Sequence, residues 1–332
     1  IDTCLSTNPV DGMCSDSEYG AMPDWDVSNV TSLPGVFASK TNFNADISSW
    51  DVSNVTWMNN TFNRATSFNQ DISSWDVSNV TYMGGMFAYT EEFNQDISSW
   101  DVSNVNSMES MFQFSTSFNQ DISPWDVSYV TRMEQMFNGA TSFNQNISSW
   151  DVSNVTYFLN MFREASAFNQ DLSDWDISNI NGANSLYDMF SYTSLSTYNY
   201  DQILNGWVVS NISSDIRFAA RGVNYCNGAD ARQRLVDDFS WEITDGGLDC
   251  STAGVEDENR LNISIYPNPV KDKLYIQGLS NTSKVSIYNV LGKLVLSETT
   301  KSEIDVDNLQ SGIYIIKIVD EQKEIIRKFI KN

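Results

Sequence analysis

The sequence predicts a repeat solenoid, leucine-rich-repeat-like, built of short parallel β-strands plus short helical turns and followed by an immunoglobulin-like all-β sandwich. Three observations predict it. Tryptophan recurs without a break every 25 residues, at Trp25, Trp50, Trp75, Trp100, Trp125, Trp150 and Trp175. That period falls in the window of about 20–29 residues for leucine-rich-type units, well below the ~33–47 of ankyrin and helical-pair repeats. Composition then changes sharply after residue 250: Lys40 is the only lysine before that point, whereas nine lie in residues 262–332, and the net charge passes from −26 over 1–261 to +2 over 262–332.

Each repeat, typified by "FNQDISSWDVSNV" at 68–80, carries a fixed apolar set. Phe43, Phe68, Phe93, Phe118, Phe143 and Phe168 keep the 25-residue step, as do Ile47, Ile72, Ile97, Ile122, Ile147 and Leu172. Within the repeat, "NQDIS" alternates polar with apolar and reads as the strand. In "NVTYMGGMF" at 79–87, the spacing of Val80, Met83, Met86 and Phe87 reads as a short helical turn. No repeat buries its apolar side chains alone, so the series needs covers at both ends. Residues 1–24 are read as the N-terminal cap, 25–190 as the solenoid and 191–250 as the C-terminal cap. In that second cap 198–207 and 229–239 have helical spacing, with Ala231, Leu235, Val236 and Phe239 on one face. Cys4 with Cys14, and Cys226 with Cys250, each bracket a short loop at one end of the series; they read as two disulfides of an oxidising compartment, buried free thiols being the alternative. Residues 251–261 have linker composition. Beyond them seven short alternating or apolar runs, from "NISIYP" to "KEIIRKFI", read as strands separated by turn residues.

Composition also excludes. Forty-three acidic against nineteen basic residues repel nucleic-acid phosphates and anionic lipid surfaces, so neither is expected as a partner. Histidine is absent altogether, which removes the commonest general base and zinc ligand and argues against an ordinary hydrolase. No apolar run reaches the ~18 residues of a membrane-spanning helix, so no transmembrane segment is expected.

Two features invite a binding role. The Trp column offers aromatic faces for a ligand, but Ile three residues before and Val two after suit a side chain closing the core. Asp46, Asp71, Asp96, Asp121 and Asp171 form one carboxylate row; Asp26, Asp51, Asp76, Asp101, Asp126, Asp151 and Asp176 form another. Backbone amides of the adjacent turns offset their mutual repulsion in the simpler reading. Calcium is the alternative; Asn146 interrupts the ion ladder it would need, and no cofactor is expected. The outward pairs Gln70 and Asp71, Gln95 and Asp96, and Gln120 and Asp121 are the expected binding face. No catalytic residue and no metal ligand is singled out.

The repeat "FNQDISSWDVSNVTYMGGMF" resembles that of BspA-like leucine-rich repeat surface proteins over about residues 21–190. The ending "YCNGADARQRLVDDFSWEITDGGLDC" is similar to the segment that follows those repeats. Residues 262–332 resemble the type A C-terminal sorting domain of type IX secretion substrates of Bacteroidota. "YPNPVKDKLYI" at 266–276, "VSIYNVLGKLV" at 285–295, "GIYIIKIV" at 312–319 and the basic "RKFIKN" at 327–332 carry that likeness. Pro267, Asn268, Pro269, Gly292, Gly312, Tyr314, Lys317 and Lys328 match its motifs. The resemblance implies export across the outer membrane by a translocon, recognition of residues 262–332 by an outer-membrane shuttle protein, and removal of the domain by a sortase that leaves the passenger on the surface. It also implies adhesion to a protein, glycan or matrix ligand by a non-enzymatic repeat domain. A carbohydrate-active enzyme on a repeat scaffold and a passive structural spacer are the alternatives.

Overall fold

The computed structural model describes all residues except 15–17, 19, 210–211, 252–263, 268, 278, 280–281, 290–291, 321–322 and 332. The linker expected at 251–261 thus lies, apart from Ser251, outside the described residues. The chain forms two compact units, Ile1–Ala253 and Gly254–Asn332.

The repeat region corrects the expected solenoid. Between residues 25 and 196 there is neither strand nor helix: "NQDIS" is not extended into a sheet, and 79–87 is a series of turns. Side chains take the place of a backbone ladder. The amide of Asn94 donates to Asn69 Oδ1 at 3.0 Å, not to a neighbouring carbonyl, and Asp96 Oδ1 accepts from the Ser98 amide at 2.9 Å. On the turn side, the position held by Asn60, Gly85, Ser110, Gln135 and Asn160 has φ between 56° and 63°, which excludes both helix and strand. Successive repeats are instead joined one amide at a time, as in Gly85 N to Glu109 O at 2.8 Å and Phe87 N to Met111 O at 2.9 Å. Isolated parallel bridges are the nearest approach to a sheet here; they link Ser32, Trp57, Tyr82, Ser107, Arg132 and Tyr157. The regular sheets lie elsewhere and most are antiparallel.

Apolar columns fill the space between repeats. Phe37, Phe62, Phe87, Phe112, Phe137 and Phe162 are fully buried, with neighbouring rings parallel at 5.3–5.7 Å, and each also stacks on the Phe six residues on. Centroids in this range favour offset stacking. Polar atoms are met within the same scheme: the indole N–H of Trp100 donates to the Ile72 carbonyl at 3.1 Å, and Trp125 repeats the bond to Ile97 at 3.0 Å.

Each end of the series is covered by a different device. At the front, helix α1 (Asp2–Thr7) is tied by the Cys4–Cys14 disulfide, and the Val10 carbonyl accepts the Asn44 amide. At the back, helix α2 (Thr197–Trp207), capped by the Ser196 hydroxyl, imitates one more repeat. Its Trp207 donates to Leu172 O at 3.2 Å, the bond that Trp175 makes to Ile147, and its Asn199 amide meets Asn169 O and Oδ1. Strand β1 (Arg217–Tyr225), helix α3 (Ala229–Phe239) and strand β2 (Glu242–Leu248) follow; β1 and β2 pair in parallel. Phe218 of β1 meets Phe190 edge-on at 86° and so ends the Phe column. The Cys226–Cys250 disulfide closes this segment, and α3 buries Ala231 and Leu235 with Phe239 packed at the margin.

The second unit is all-β, as its alternating runs predict. All seven runs are strands: β3 (Ser264–Tyr266), β4 (Lys273–Gln277), β5 (Ser283–Asn289), β6 (Leu294–Thr300), β7 (Glu303–Asp305), β8 (Gly312–Asp320) and β9 (Lys323–Lys331). They make two antiparallel sheets, ordered β3-β4-β7 and β6-β5-β8-β9. Leu274 and Ile276 from one sheet share a core with Val285, Ile287, Ile316 and Ile318 from the other.

Candidate functional site

The acidic rows are turn-holders first. Asp51 Oδ1 accepts the Ser53 amide at 3.1 Å and its hydroxyl at 2.6 Å, and Asp76 with Ser78 and Asp101 with Ser103 do the same. In the other row Asp71, Asp96 and Asp121 accept the amides of Ser73, Ser98 and Ser123. Asn146 makes the same bond to Ser148 at 3.1 Å, so an amide fits the row where a calcium ladder would need a carboxylate. Serine bonding decides the electrostatics as well. Hydroxyl donation, followed by the amide, holds Asp26, Asp46, Asp51, Asp76, Asp96, Asp101 and Asp126 below the ordinary carboxylate value; at Asp71 the Ser73 amide contributes most. Repulsion from the next repeat's Asp acts the other way and is the weaker effect. Among the described residues no three His, Cys, Asp or Glu side chains converge to hold a metal ion.

The Gln and Asp pairs lie side by side on each repeat. Gln70, Gln95 and Gln120 are half-buried, and their amide nitrogens donate back to the carbonyls of Asn44, Asn69 and Asn94 at 2.8–3.0 Å. Asp71, Asp96 and Asp121 are exposed beside them. The face therefore presents carboxylates outward while its glutamines bind the preceding repeat.

A second face escaped the sequence reading. Seven residues after Trp25, Trp50, Trp75, Trp100, Trp125 and Trp150 stands a position that changes type: Ser32, Trp57, Tyr82, Ser107, Arg132 and Tyr157, brought into line by the bridges. Trp57 is 51 % exposed, and its ring meets Tyr82 edge-to-face at 5.2 Å. Seven residues further along the same repeats, the Arg64 guanidinium lies 4.5 Å over the Tyr89 ring, which stacks on Phe114 at 5.0 Å. Later repeats carry ion pairs: Arg132, in the same line, with Glu109 and Glu134, and elsewhere Arg163 with Glu164. Periodicity shows in positions that keep one residue type, whereas this line is marked by variation.

The C-terminal cap holds a cluster of buried ionisable groups around Asp201 and Tyr200. Asp201 accepts the amides of Cys226, Asn227 and Gly228 at 2.8–2.9 Å, which fixes the disulfide turn on α2. Asp245 accepts from Tyr200 at 3.1 Å and from Arg232 at 2.7 Å. Burial first, and Asp245 second, push the Tyr200 phenol well above its ordinary value, so it remains a neutral donor. With Tyr200 fully buried, this cluster is a structural network.

In the second unit several motif residues lie toward one end, while Lys317, paired with Ser286, stands mid-strand. Asn289 pairs with Tyr314 and Gly312 with Lys331, while Val270, next to Pro269, bridges Lys331. Gly292, with φ 73°, closes the β5–β6 turn through its amide bond to Asn289 O. Tyr314 is a core residue: it stacks on Phe329 at 5.6 Å and its hydroxyl donates to Gln310 O at 2.9 Å. Pro267, Pro269 and Lys328 are exposed and Lys317 half-buried; Asn268 lies outside the described residues.

Comparison with known proteins gives the following. The family model described as "Mycoplasma protein of unknown function, DUF285" matches residues 10–125 and 108–222. The model described as "Secretion system C-terminal sorting domain" matches 264–332. An ulvan lyase, NLR42, of Nonlabens ulvanivorans is 30 % identical over 153 residues, 42 % of this chain and 28 % of that protein, so the chain spans little of that relative's length. Among solved structures, PorZ, a surface component of the type IX secretion system of Porphyromonas gingivalis, has 20 % identity and a TM-score of 0.21, covering 24 % of this chain and 12 % of that one. With matches over well more than half its length, the chain belongs to the DUF285 family of BspA-like repeats, and its C-terminal sorting domain makes it a type IX secretion protein bound for the cell surface or beyond.

Proposed function

We propose that the protein is a non-enzymatic recognition protein of the cell surface, whose repeats grip an extended polymer and whose last unit is the export signal. One observation carries this reading: each repeat spends its fixed Gln and Trp donors on the preceding one, yet sets its Asp carboxylates and its variable side chains in parallel rows 25 residues apart. Such rows meet a long partner at several points at once, and the gain from multiple contacts needs no single deep pocket. Within this reading Asp71, Asp96 and Asp121, flanked by Gln70, Gln95 and Gln120, offer acceptors to hydroxyl- or ammonium-bearing ligands. The translocon, an outer-membrane shuttle and a sortase engage residues 262–332, with Pro267, Asn268, Pro269, Gly292, Gly312, Tyr314, Lys317 and Lys328 as the recognition residues. Solid-phase binding of the intact chain to surface polysaccharides and matrix proteins, with and without calcium, tests the proposal. Absence of binding to every class would sink it.

The identity shared with an ulvan lyase favours a second reading, a carbohydrate-active enzyme. It predicts that ulvan incubated with the chain gains unsaturated uronate ends, seen as rising ultraviolet absorbance, and that one substitution abolishes the rise. Graded loss of binding spread over many repeats supports the recognition reading instead.

A further inference from the structure

We propose that the outer face of the four-stranded sheet β6-β5-β8-β9 is the surface by which the sorting domain docks on the export machinery, and that it fits an apolar protein surface edged with carboxylates. This deepens the export reading of residues 262–332 and rests on it. Strand register gathers the residues on one face. Val285, Ile287, Tyr314, Ile316, Ile318 and Phe329 lie in the core, so the residues that alternate with them point outward. Leu294, Tyr288, Ile315 and Lys328 are paired in turn across the four strands; Ile313 with Ile330 lies beside them, and Lys317 follows Ile315 by two along β8. The solvated face of an antiparallel sheet ordinarily carries polar residues. Here Leu294, Ile313, Ile315 and Ile330 stand together at 38–49 % exposure. Single exposed aliphatics are ordinary, whereas a contiguous patch of them marks an interaction site.

The surroundings of the patch select the partner. Lys328 is exposed and Lys317 half-buried on the same face, each next to Ile315 in the sheet. A two-fold contact between copies sets one lysine-bearing patch against another. An extended anionic lipid surface is repelled by the net charge of −24. A few carboxylates on a protein act within a Debye length of about 8 Å, so they attract the lysines they touch whatever the charge of the rest of the chain. The motif positions divide accordingly: Gly292 holds the β5–β6 turn and Tyr314 the core behind the face, while Lys317 and Lys328 belong to the face itself.

Binding of the purified intact chain to the outer-membrane shuttle protein in detergent, read beside export by cells, tests the assignment. Ile313→Thr combined with Ile315→Thr keeps β-branched residues in β8 and should melt close to wild type. The pair should weaken shuttle binding about tenfold or more, as for a lost apolar anchor, and lower the surface fraction with it. Lys328→Glu should weaken binding too, and Lys328→Arg should retain it. Tyr275→Thr, on the exposed side of the other sheet, is the control and should bind and export as wild type does. If the double variant, folded as wild type, binds the shuttle and reaches the surface unchanged, the docking face is wrong. A wild type that ignores the shuttle also overturns it; flotation with vesicles of phosphatidylethanolamine and phosphatidylglycerol, or a dimer in sedimentation, lost in the double variant, then assigns the face to lipid or to a second copy. If removing residues 264–332 leaves export intact, the export reading falls as well; if removal blocks export and the double variant does not, the face alone falls.

Discussion

The indole nitrogen of Trp75 donates to the carbonyl oxygen of Ile47, 3.1 Å away and 28 residues earlier in the chain. Trp75 is 3 % exposed, so its loss leaves that acceptor with no solvent to turn to. Trp75→Phe keeps an aromatic ring and removes the donor. It is expected to destabilise the N-terminal unit by about 1–3 kcal/mol, the cost of an unmet buried polar group. Trp25→Phe should cost less, since Trp25 is only partly buried and sits at the first repeat. Urea unfolding followed by far-ultraviolet circular dichroism distinguishes the two.

The carboxylate rows make a prediction for acid. Serine hydroxyls and amides hold Asp51, Asp76 and Asp101 below the ordinary carboxylate value, so the folded state binds their protons less readily than the unfolded chain. Their stabilisation is complete above about pH 4, the ordinary Asp value, and fades as pH falls through the lowered folded values. Carboxyl carbon shifts followed by NMR should show these residues titrating below the reference, with the melting temperature falling over the same interval. Asp71→Asn should melt close to wild type, because Asn146 already performs this turn, and Asp71→Ala should melt lower. Equal losses for both substitutions would mean that the charge, not the turn, is what the row supplies.

Much of this arrangement is legible in the sequence, and what is not has identifiable causes. The seven C-terminal strands are readable because their alternation reports a sheet with one buried face, as Val285 and Ile287 do against Lys284 and Tyr288. "NQDIS" alternates equally well yet is no strand, since Asn and Asp side chains satisfy the backbone that a sheet would otherwise pair. The turn at Asn60, Gly85, Ser110, Gln135 and Asn160 has one backbone conformation and four residue types, so no glycine signature reveals it. The Trp57–Tyr82 strip is hidden for the opposite reason: it is defined by change from repeat to repeat, while periodicity is read from sameness.

The two disulfides differ in what they restrain. Cys226 and Cys250 are 24 residues apart and enclose α3, whereas Cys4 and Cys14 are 10 apart. Longer closed loops lose more unfolded-state entropy, so Cys226→Ser with Cys250→Ser should cost about 2–4 kcal/mol and the N-terminal pair less. The Asp201 carboxylate, bonded to three amides of the same turn, should keep that turn partly ordered without the bridge. Thermal unfolding of both double variants, with hydrogen exchange at residues 226–228, checks the ranking.

Export should depend on the second unit and folding of the first should not. Each unit has its own core, Phe and Trp columns in one and Leu274, Val285, Ile316 and Phe329 in the other. Removing residues 264–332, the sorting domain, is therefore expected to leave the melting transition of the N-terminal unit unchanged while the chain accumulates in the periplasm. Tyr314→Ala is the gentler form of the same test. It removes the stack on Phe329 and the bond to Gln310, so it should unfold or loosen the sorting domain and lower the surface fraction without moving the first transition. Fractionation of cells expressing each form, read alongside calorimetry of the purified chains, separates export from stability. A truncated chain that still reached the surface would place the export signal in the repeats, where the fixed polar groups are already committed to neighbouring repeats.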